Sequence, residues 1–262
     1  MSTATYQTLL LDAPAAHVLR VSFNRPEVRN ALSVSASQEL AAAIDAFEAD
    51  DEALVAILTG AGPRSFCAGG DLKARESGQA RPDTGFGGLT RRFDRTKPII
   101  AAVNGRALGG GFELALACDL ILAAEGAEFG LPEPARGLIA AGGGLHRLPR
   151  AIGEKRALGM ILTARTVSAA EGERLGFVNE VLSAGELLPR AWQLADEIAE
   201  LAPLAVRASL DCVRRGLDIG SLEEAMRAQP DWLSVRAVRT SDDRREGIEA
   251  FRARRPPIWR RR

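Results

Sequence analysis

This chain is short of paired cysteine, histidine, lysine and long apolar runs. Its three cysteines, Cys67, Cys118 and Cys212, are widely spaced. An odd count without a CxxC pair argues against a disulfide framework and against a zinc site. No apolar run reaches the roughly 18 residues that a spanning helix needs. The start, Met1-Ser2-Thr3-Ala4-Thr5-Tyr6, has neither the basic nor the apolar segment of a secretion signal. Net charge is missing as well: 34 Lys+Arg stand against 34 Asp+Glu, so neither nucleic acid nor membrane is expected as the main partner. Only Lys73, Lys97 and Lys155 are lysines; the other cations are arginines. There is no internal repeat of the solenoid kind. These absences leave a soluble protein of a reducing compartment, with the cytoplasm as its expected location.

What is present is a sizeable apolar fraction, 46% of 262 residues, enough for one large domain or a domain with a helical appendage. Residues 6–12 and 17–24 read as strands separated by a turn at Asp12-Ala13-Pro14. Ser35 with Gln38 resembles a capping box, and Leu40, Ile44 and Phe47 recur at helical spacing, which predicts a helix over 35–49. Leu54 to Thr59 and Pro98 to Val103 are buried strands. Between them, 60–97 is loop-rich, a short helix is expected from Asp71, and 74–87 is the best candidate for a mobile segment. A helix over 110–118 and a strand at Leu120 to Ala123 follow. After about residue 143 helices dominate, over 154–163, 168–175, 186–201, 203–217, 221–239 and 242–253, and only Phe177 to Leu182 is extended. The Arg-rich end, 252–262, reads as a solvated tail, or as one that packs on a neighbouring subunit or an anionic ligand.

Chemistry concentrates in three glycine-containing stretches. Gly109-Gly110-Gly111-Phe112-Glu113 follows a strand and opens a helix. The first turn of a helix has N–H groups without intrahelical partners, at the positive end of the macrodipole, and bare glycines let a ligand approach them. Glu113 lies three residues after Gly110, and helical side chains lean toward the N-terminus, which aims its carboxylate at the same spot. The spacing is not that of a dinucleotide fingerprint.

Phe66-Cys67-Ala68-Gly69-Gly70-Asp71-Leu72 comes after a strand's C-terminal end, where open sheets place ligands. Ala68 N–H is a plausible second donor, with room left by Gly69 and Gly70. Asp71 reads as a cap for the following turn. A nucleophilic Cys67 has no signalled imidazole partner, since the chain holds only His17 and His146. In the third stretch, Phe129-Gly130-Leu131-Pro132-Glu133-Pro134, two prolines hold Glu133 stiffly in an apolar setting, which should raise its pKa by desolvation. Gly142-Gly143-Gly144 is one more helix start and a possible pocket wall. Two amides that polarise a thioester carbonyl, with two carboxylates beside it, suit addition or removal of water across the neighbouring carbons. A double-bond shift needs only one acid/base group.

In this order, the three stretches together with Ala102-Val103-Asn104-Gly105, Asn24-Arg25-Pro26 and the segment from Ser241 to Arg255 resemble the crotonase (enoyl-CoA hydratase/isomerase) superfamily over almost the whole chain. The resemblance implies an α/β fold, a spiral of ββα units, with a catalytic core over 1–195 and a C-terminal helical region over 196–262 used for trimerisation. It implies an acyl-CoA thioester substrate, no separate cofactor, no metal, and assembly as a trimer or a dimer of trimers. The oxyanion hole falls on the N–H groups of Ala68 and Gly110, and the hydratase glutamates on Glu113 and Glu133.

Isomerases of the family usually keep only the second glutamate, so a hydratase is expected. A carnitinyl-CoA dehydratase (crotonobetainyl-CoA hydratase) or an enoyl-CoA isomerase is the alternative, and an RNA-binding homologue is the reading from another class. Gly69, Gly70, Asp71, Leu72, Ala141 and Arg25 complete the substrate-binding set. Many hydratases carry Pro-Gly where this chain has Ala140-Ala141; the Ala141 amide is expected to stay available to water. Arg25, or an arginine of the tail, is the expected partner of the 3′-phosphate of coenzyme A.

Overall fold

Two runs of small and branched apolar residues, Val55–Gly60 (β3) and Ile99–Val103 (β5), lie at the centre of a six-stranded sheet because every residue but the last of β3 is buried. Strands covered on both faces need no polar alternation. The computed structural model describes residues 6–13, 17–72, 74 and 80–260. The sheet also contains β1 (Leu9–Asp12), β2 (Val18–Phe23), β7 (Leu120–Ala124) and β10 (Glu180–Leu182), in the order β1-β2-β3-β5-β7-β10. All neighbours are parallel except the β1–β2 hairpin.

A second, four-stranded sheet runs β4 (Ser65–Cys67), β6 (Arg106–Leu108), β8 (Glu128–Gly130) and β9 (Thr166–Ser168), parallel except for β9. The two sheets advance together. The chain passes from β3 to β4, from β5 to β6, then from β7 to β8, each time from the large sheet to the small one. Each turn of the spiral therefore moves both sheets along by one strand, and the expected ββα spiral is present. The short strands escaped the sequence reading because each has three residues, too few for alternation to register.

Helix α1 (Val34–Ala49) buries Leu40, Ile44 and Phe47, as its spacing requires. Its cap is Ser33, whose Oγ accepts the Ala36 N–H at 3.1 Å, and not Ser35. Helix α2 (Gly110–Ala117) opens at Gly109. Helices α3 (Gly144–Ile152), α4 (Glu154–Thr163) and α5 (Ala169–Leu175) follow, with α6 (Leu187–Ala199) after β10. Phe112, Phe129 and Phe177 form a three-ring cluster with centroids 5.1–5.3 Å apart. This cluster ties the segments that carry Glu113 and Glu133 to one rigid support.

Two compact units make up the chain: Met1–Arg95 with Ile99–Ala195, and Thr96–Pro98 with Asp196–Arg262. The second contains α7 (Pro203–Asp218), α8 (Leu222–Ala228), α9 (Leu233–Thr240) and α10 (Asp242–Ala253). The single helix expected over 221–239 is broken at Gln229–Asp231, because Pro230 has no N–H to continue the ladder. The Arg-rich end is not simply solvated. Trp259 Nε1–H donates to Glu200 O at 2.7 Å, and Arg255 pairs with Glu246 at 2.6 Å.

The short helix expected from Asp71 falls largely outside the described residues; Asp71 Oδ1 accepts the Ala74 N–H at 3.2 Å, the capping contact expected of it. Of the segment read as mobile, 75–79 lie outside the described residues. Its later part is hydrogen-bonded to the rest of the fold: Gln38 Nε2 donates to Ala80 O at 3.0 Å and the Arg91 N–H to Thr84 O at 2.8 Å.

Candidate active site

Helix α2 begins where β6 ends, so the free N–H groups of its first turn lie at the strand's C-terminal edge. Gly109 has φ +55° and ψ −127°, a conformation that only glycine adopts without strain. A β-carbon there would also meet Glu133 Oε1 at 2.7 Å. The Glu133 carboxylate thus lies directly over the start of α2. Its Oε2 is buried without a hydrogen-bond partner among the described residues. Glu133 opens the turn Glu133–Arg136 between Pro132 and Pro134, which fix its direction.

Glu113, one turn into α2, is 4% exposed. Its Oε1 accepts the Gly144 N–H at 2.9 Å. A β-carbon on Gly142 would stand 2.6 Å from Oε2, so Gly142 and Gly144 flank the carboxylate closely on the α3 side. Burial raises the Glu113 pKa, and the charge of Glu133 pushes it the same way. The amides of Gly144 and Gly142 and the Arg147 guanidinium oppose the rise. Burial raises the Glu133 pKa too, against its own backbone amide and the nearby Arg136. Two carboxylates share one site, and burial pushes both toward the protonated form, against a backbone amide in each case and against a nearby arginine.

The 68–71 loop reaches the same place. A β-carbon on Gly69 would lie 3.3 Å from Gly110 N. Leu32 N–H donates to Gly69 O and Asp71 N–H to Leu32 O, each at 2.9 Å. In such a parallel bridge the intervening residue turns its own N–H the opposite way. The Gly70 amide therefore faces away from Leu32 and is uncommitted among the described residues. Phe86 covers both glycines: its ring is 3.7 Å from a β-carbon placed on Gly70 and 2.5 Å from one placed on Gly110.

Two amides and two carboxylates on successive turns of one ββα spiral, walled by an aromatic ring, give a recognisable arrangement. A family model described as enoyl-CoA hydratase/isomerase matches residues 14–262. The chain belongs to the crotonase family. It is 40% identical to the mevalonyl-coenzyme A hydratase of Aspergillus fumigatus over 269 residues, covering 99% of this chain and 98% of that protein. It is 42% identical to the carnitinyl-CoA dehydratase of Proteus mirabilis over 250 residues, 93% of this chain and 95% of the relative. The solved enoyl-CoA hydratase of Mycobacterium tuberculosis H37Rv superposes with a TM-score of 0.92 at 40% identity, over 98% of this chain and all of that one.

Within this crotonase site, several positions depart from what the sequence led us to expect. Ala68 is not a free donor, because its N–H is given to Arg29 O at 3.1 Å. Two residues on, the Gly70 amide is the one in this loop that faces away from the Leu32 bridge. Ala141 N–H is likewise engaged, with Ile139 O at 2.9 Å. Arg25 is spent inside its own loop: Nη1 donates to Ala31 O at 2.7 Å and Nη2 pairs with Asp71 at 3.0 Å. Asp71, bonded to Arg25 and capping Ala74, serves as a structural bracket. Leu72 is exposed beside the donor loop. Cys67 is fully buried, with its thiol pKa pushed up to about 12 by desolvation, which excludes it as a nucleophile.

Sequence reasoning missed Phe86 as a wall. The signal was the run Gly85-Phe86-Gly87-Gly88, whose three glycines all have positive φ and fold the ring back over Gly70 and Gly110. Among the described residues, no group of three or more His, Cys, Asp or Glu side chains is placed to hold a metal ion, and no helix is long and apolar enough to cross a membrane. An apolar cavity of about 280 Å³ lies between the β1–β2 hairpin and α1, lined by Tyr6, Leu11 and Phe47 among others, and shares no residue with the site.

Proposed function

We propose that the chain is a hydratase of 2-enoyl-CoA thioesters, working in either direction. The observation that carries this reading is the unequal pair: Glu113 held by two glycine amides, and Glu133 with an unpartnered buried oxygen, both at the start of α2. The thioester oxygen accepts the N–H groups of Gly70 and Gly110, which stabilise the enolate as charge develops on oxygen. Glu113, whose carboxylate accepts the Gly144 N–H, takes a proton from water as the oxygen attacks the β-carbon. Glu133, whose Oε2 has no hydrogen-bond partner among the described residues, gives its proton to the α-carbon. One water is added, and the two carboxyls end with exchanged protonation states. Every step uses groups of the chain; coenzyme A enters as part of the substrate.

The named relatives support a short polar acyl group as readily as a plain alkyl one, so carnitinyl-type and mevalonyl-type thioesters belong in the same test. Exposed Leu217, Leu222, Met226, Leu233 and Phe251 on the C-terminal unit support self-association as a trimer or a dimer of trimers. The three unpaired cysteines suit the cytoplasm. The test is a panel of enoyl-CoA thioesters, followed by loss of absorbance of the conjugated double bond. We expect Glu113→Gln and Glu133→Gln each to lower kcat by about 10²–10⁴-fold with thioester binding retained. Wild-type turnover in both variants would end the mechanism. Solvent deuterium entering the α-carbon without hydroxyacyl product would mark an isomerase instead.

A further inference from the structure

Arg147 stands behind Glu113, on α3, three residues after the glycine whose amide binds the carboxylate. Its Nη2 donates to Thr90 O at 2.8 Å and its Nη1 leans toward Gly142 O at 3.4 Å. A β-carbon on Gly143 would fall 2.2 Å from Nη1 and 3.4 Å from Cζ, so the guanidinium meets the Gly142-Gly143 backbone with its Nη1 end. Phe93 closes the other side, its ring centroid 5.8 Å from the guanidinium carbon. One planar group therefore joins the loop that supplies the Glu113 donors to the 86–92 segment that carries the aromatic wall. A planar fork can hold two carbonyls in a fixed relation, which a point charge on a flexible stem does less well.

We propose that Arg147 is a positioning residue for the reaction. It holds the Gly142-Gly143 backbone so that the neighbouring amides face Glu113, and its charge favours the ionised carboxylate. The inference rests on the hydratase reading given above. The charged groups that bear on Glu113 are Glu133, from the turn after β8, and Arg147 itself, from α3; Arg136 bears on Glu133. Glu133 opposes ionisation of Glu113 and Arg147 favours it. Removing the guanidinium leaves only the Gly144 and Gly142 amides to oppose burial and the neighbouring carboxylate, so the proton on Glu113 is held to higher pH.

Two variants separate charge from support. Arg147→Gln is neutral but still donates to a carbonyl; Arg147→Lys keeps the charge and loses the fork. The first readout is the ¹³C titration of glutamate carboxyls in labelled protein, with the Glu113 signal assigned as the one missing from Glu113→Gln. The second is the acid limb of kcat/KM for crotonyl-CoA. We expect Arg147→Gln to move the Glu113 midpoint upward, to move the acid limb with it, and to lower kcat by about 10–100-fold with little change in KM. Arg147→Lys should leave the midpoint near that of the wild type while kcat falls less.

A folded Arg147→Gln protein with an unmoved Glu113 midpoint overturns the proposal. So does an Arg147→Lys midpoint displaced as far as that of Arg147→Gln. If one variant fails to fold, the other decides. The carboxyl titration does not depend on turnover: if the wild type hydrates no enoyl-CoA, the hydratase reading fails while the titration still judges Arg147.

Discussion

Gly109→Ala is the sharpest test of the geometry, because it perturbs one atom pair at the centre of the site. The added β-carbon would lie 2.7 Å from Glu133 Oε1 and 3.4 Å from its Cδ. Ordinary van der Waals contact begins near 3.4 Å, so the carboxylate oxygen must retreat by about 0.7 Å, a shift that can itself cost on the order of 10²-fold in rate at a reacting centre. That corresponds to about 2.7 kcal/mol in activation free energy. Separately, a non-glycine residue at φ +55°, ψ −127° carries backbone strain of about 1–3 kcal/mol. For a chain of this size each kcal/mol lowers Tm by about 2–4 °C.

The assay is kcat and KM for an accepted enoyl-CoA, alongside thermal unfolding. The expected result is a loss in kcat of about 10²-fold with KM nearly unchanged, and a lowered Tm. Gly176→Ala is the control: Gly176 also has positive φ, at +99°, but nothing lies within 4 Å of its would-be β-carbon. It should lower Tm and leave kcat alone. If Gly109→Ala keeps kcat within a few-fold of wild type, the carboxylate of Glu133 does not work from above the start of α2, and the acid assigned here is wrong.

Glu113→Gln also has a stability signature. Burial raises the folded carboxyl pKa above its unfolded value, so the folded state binds the proton more tightly. The stability this contributes is present at low pH and is lost as pH rises from the ordinary carboxylate range through the folded pKa. The variant lacks this loss, so its Tm relative to wild type should increase from pH 4 toward pH 8; a constant or opposite trend in unfolding scans would contradict a desolvated carboxyl. Phe86→Ala should remove the wall over Gly70 and Gly110, and raise kcat/KM for bulkier acyl groups relative to crotonyl-CoA. An unchanged ranking across the thioester panel would show that the ring does not bound the acyl group.

Much of the fold was legible because it depends on local pattern. Buried strands such as β3 and β5 announce themselves by continuous apolar runs, and α4 and α10 by periodicity, α10 with Ser241 as its cap. Glu113 and Glu133 stood out because carboxylates beside bare glycines and prolines have few structural reasons to be there. What stayed hidden depends on contacts distant in sequence. Ala68 and Gly70 are both small and lie in the same short loop. Only the pairing with Arg29 and Leu32 decides which amide is free. Arg25 looked available until Asp71, 46 residues away, was seen to hold it. Ala141 loses its amide to a turn whose shape no propensity encodes. Phe86 sits in a stretch whose composition reads as plain loop, and its direction comes from the positive φ of Gly85, Gly87 and Gly88 on either side of it, which only glycine adopts freely.

The synchronous advance of the two sheets has a metrical consequence. Gly70 and Gly110 follow β4 and β6, which are hydrogen-bonded neighbours with Cys67 opposite Ala107. Adjacent strands are about 4.8 Å apart. An oxygen lying about 2.9 Å from each of two nitrogens that far apart makes an angle of roughly 110° between them, close to what two lone pairs offer. The jaw that holds the carbonyl is thus gauged by the sheet's own lattice spacing. Insertions or deletions in the connecting stretch between Leu72 and Phe86 can reshape the acyl pocket while the grip on the thioester keeps its width.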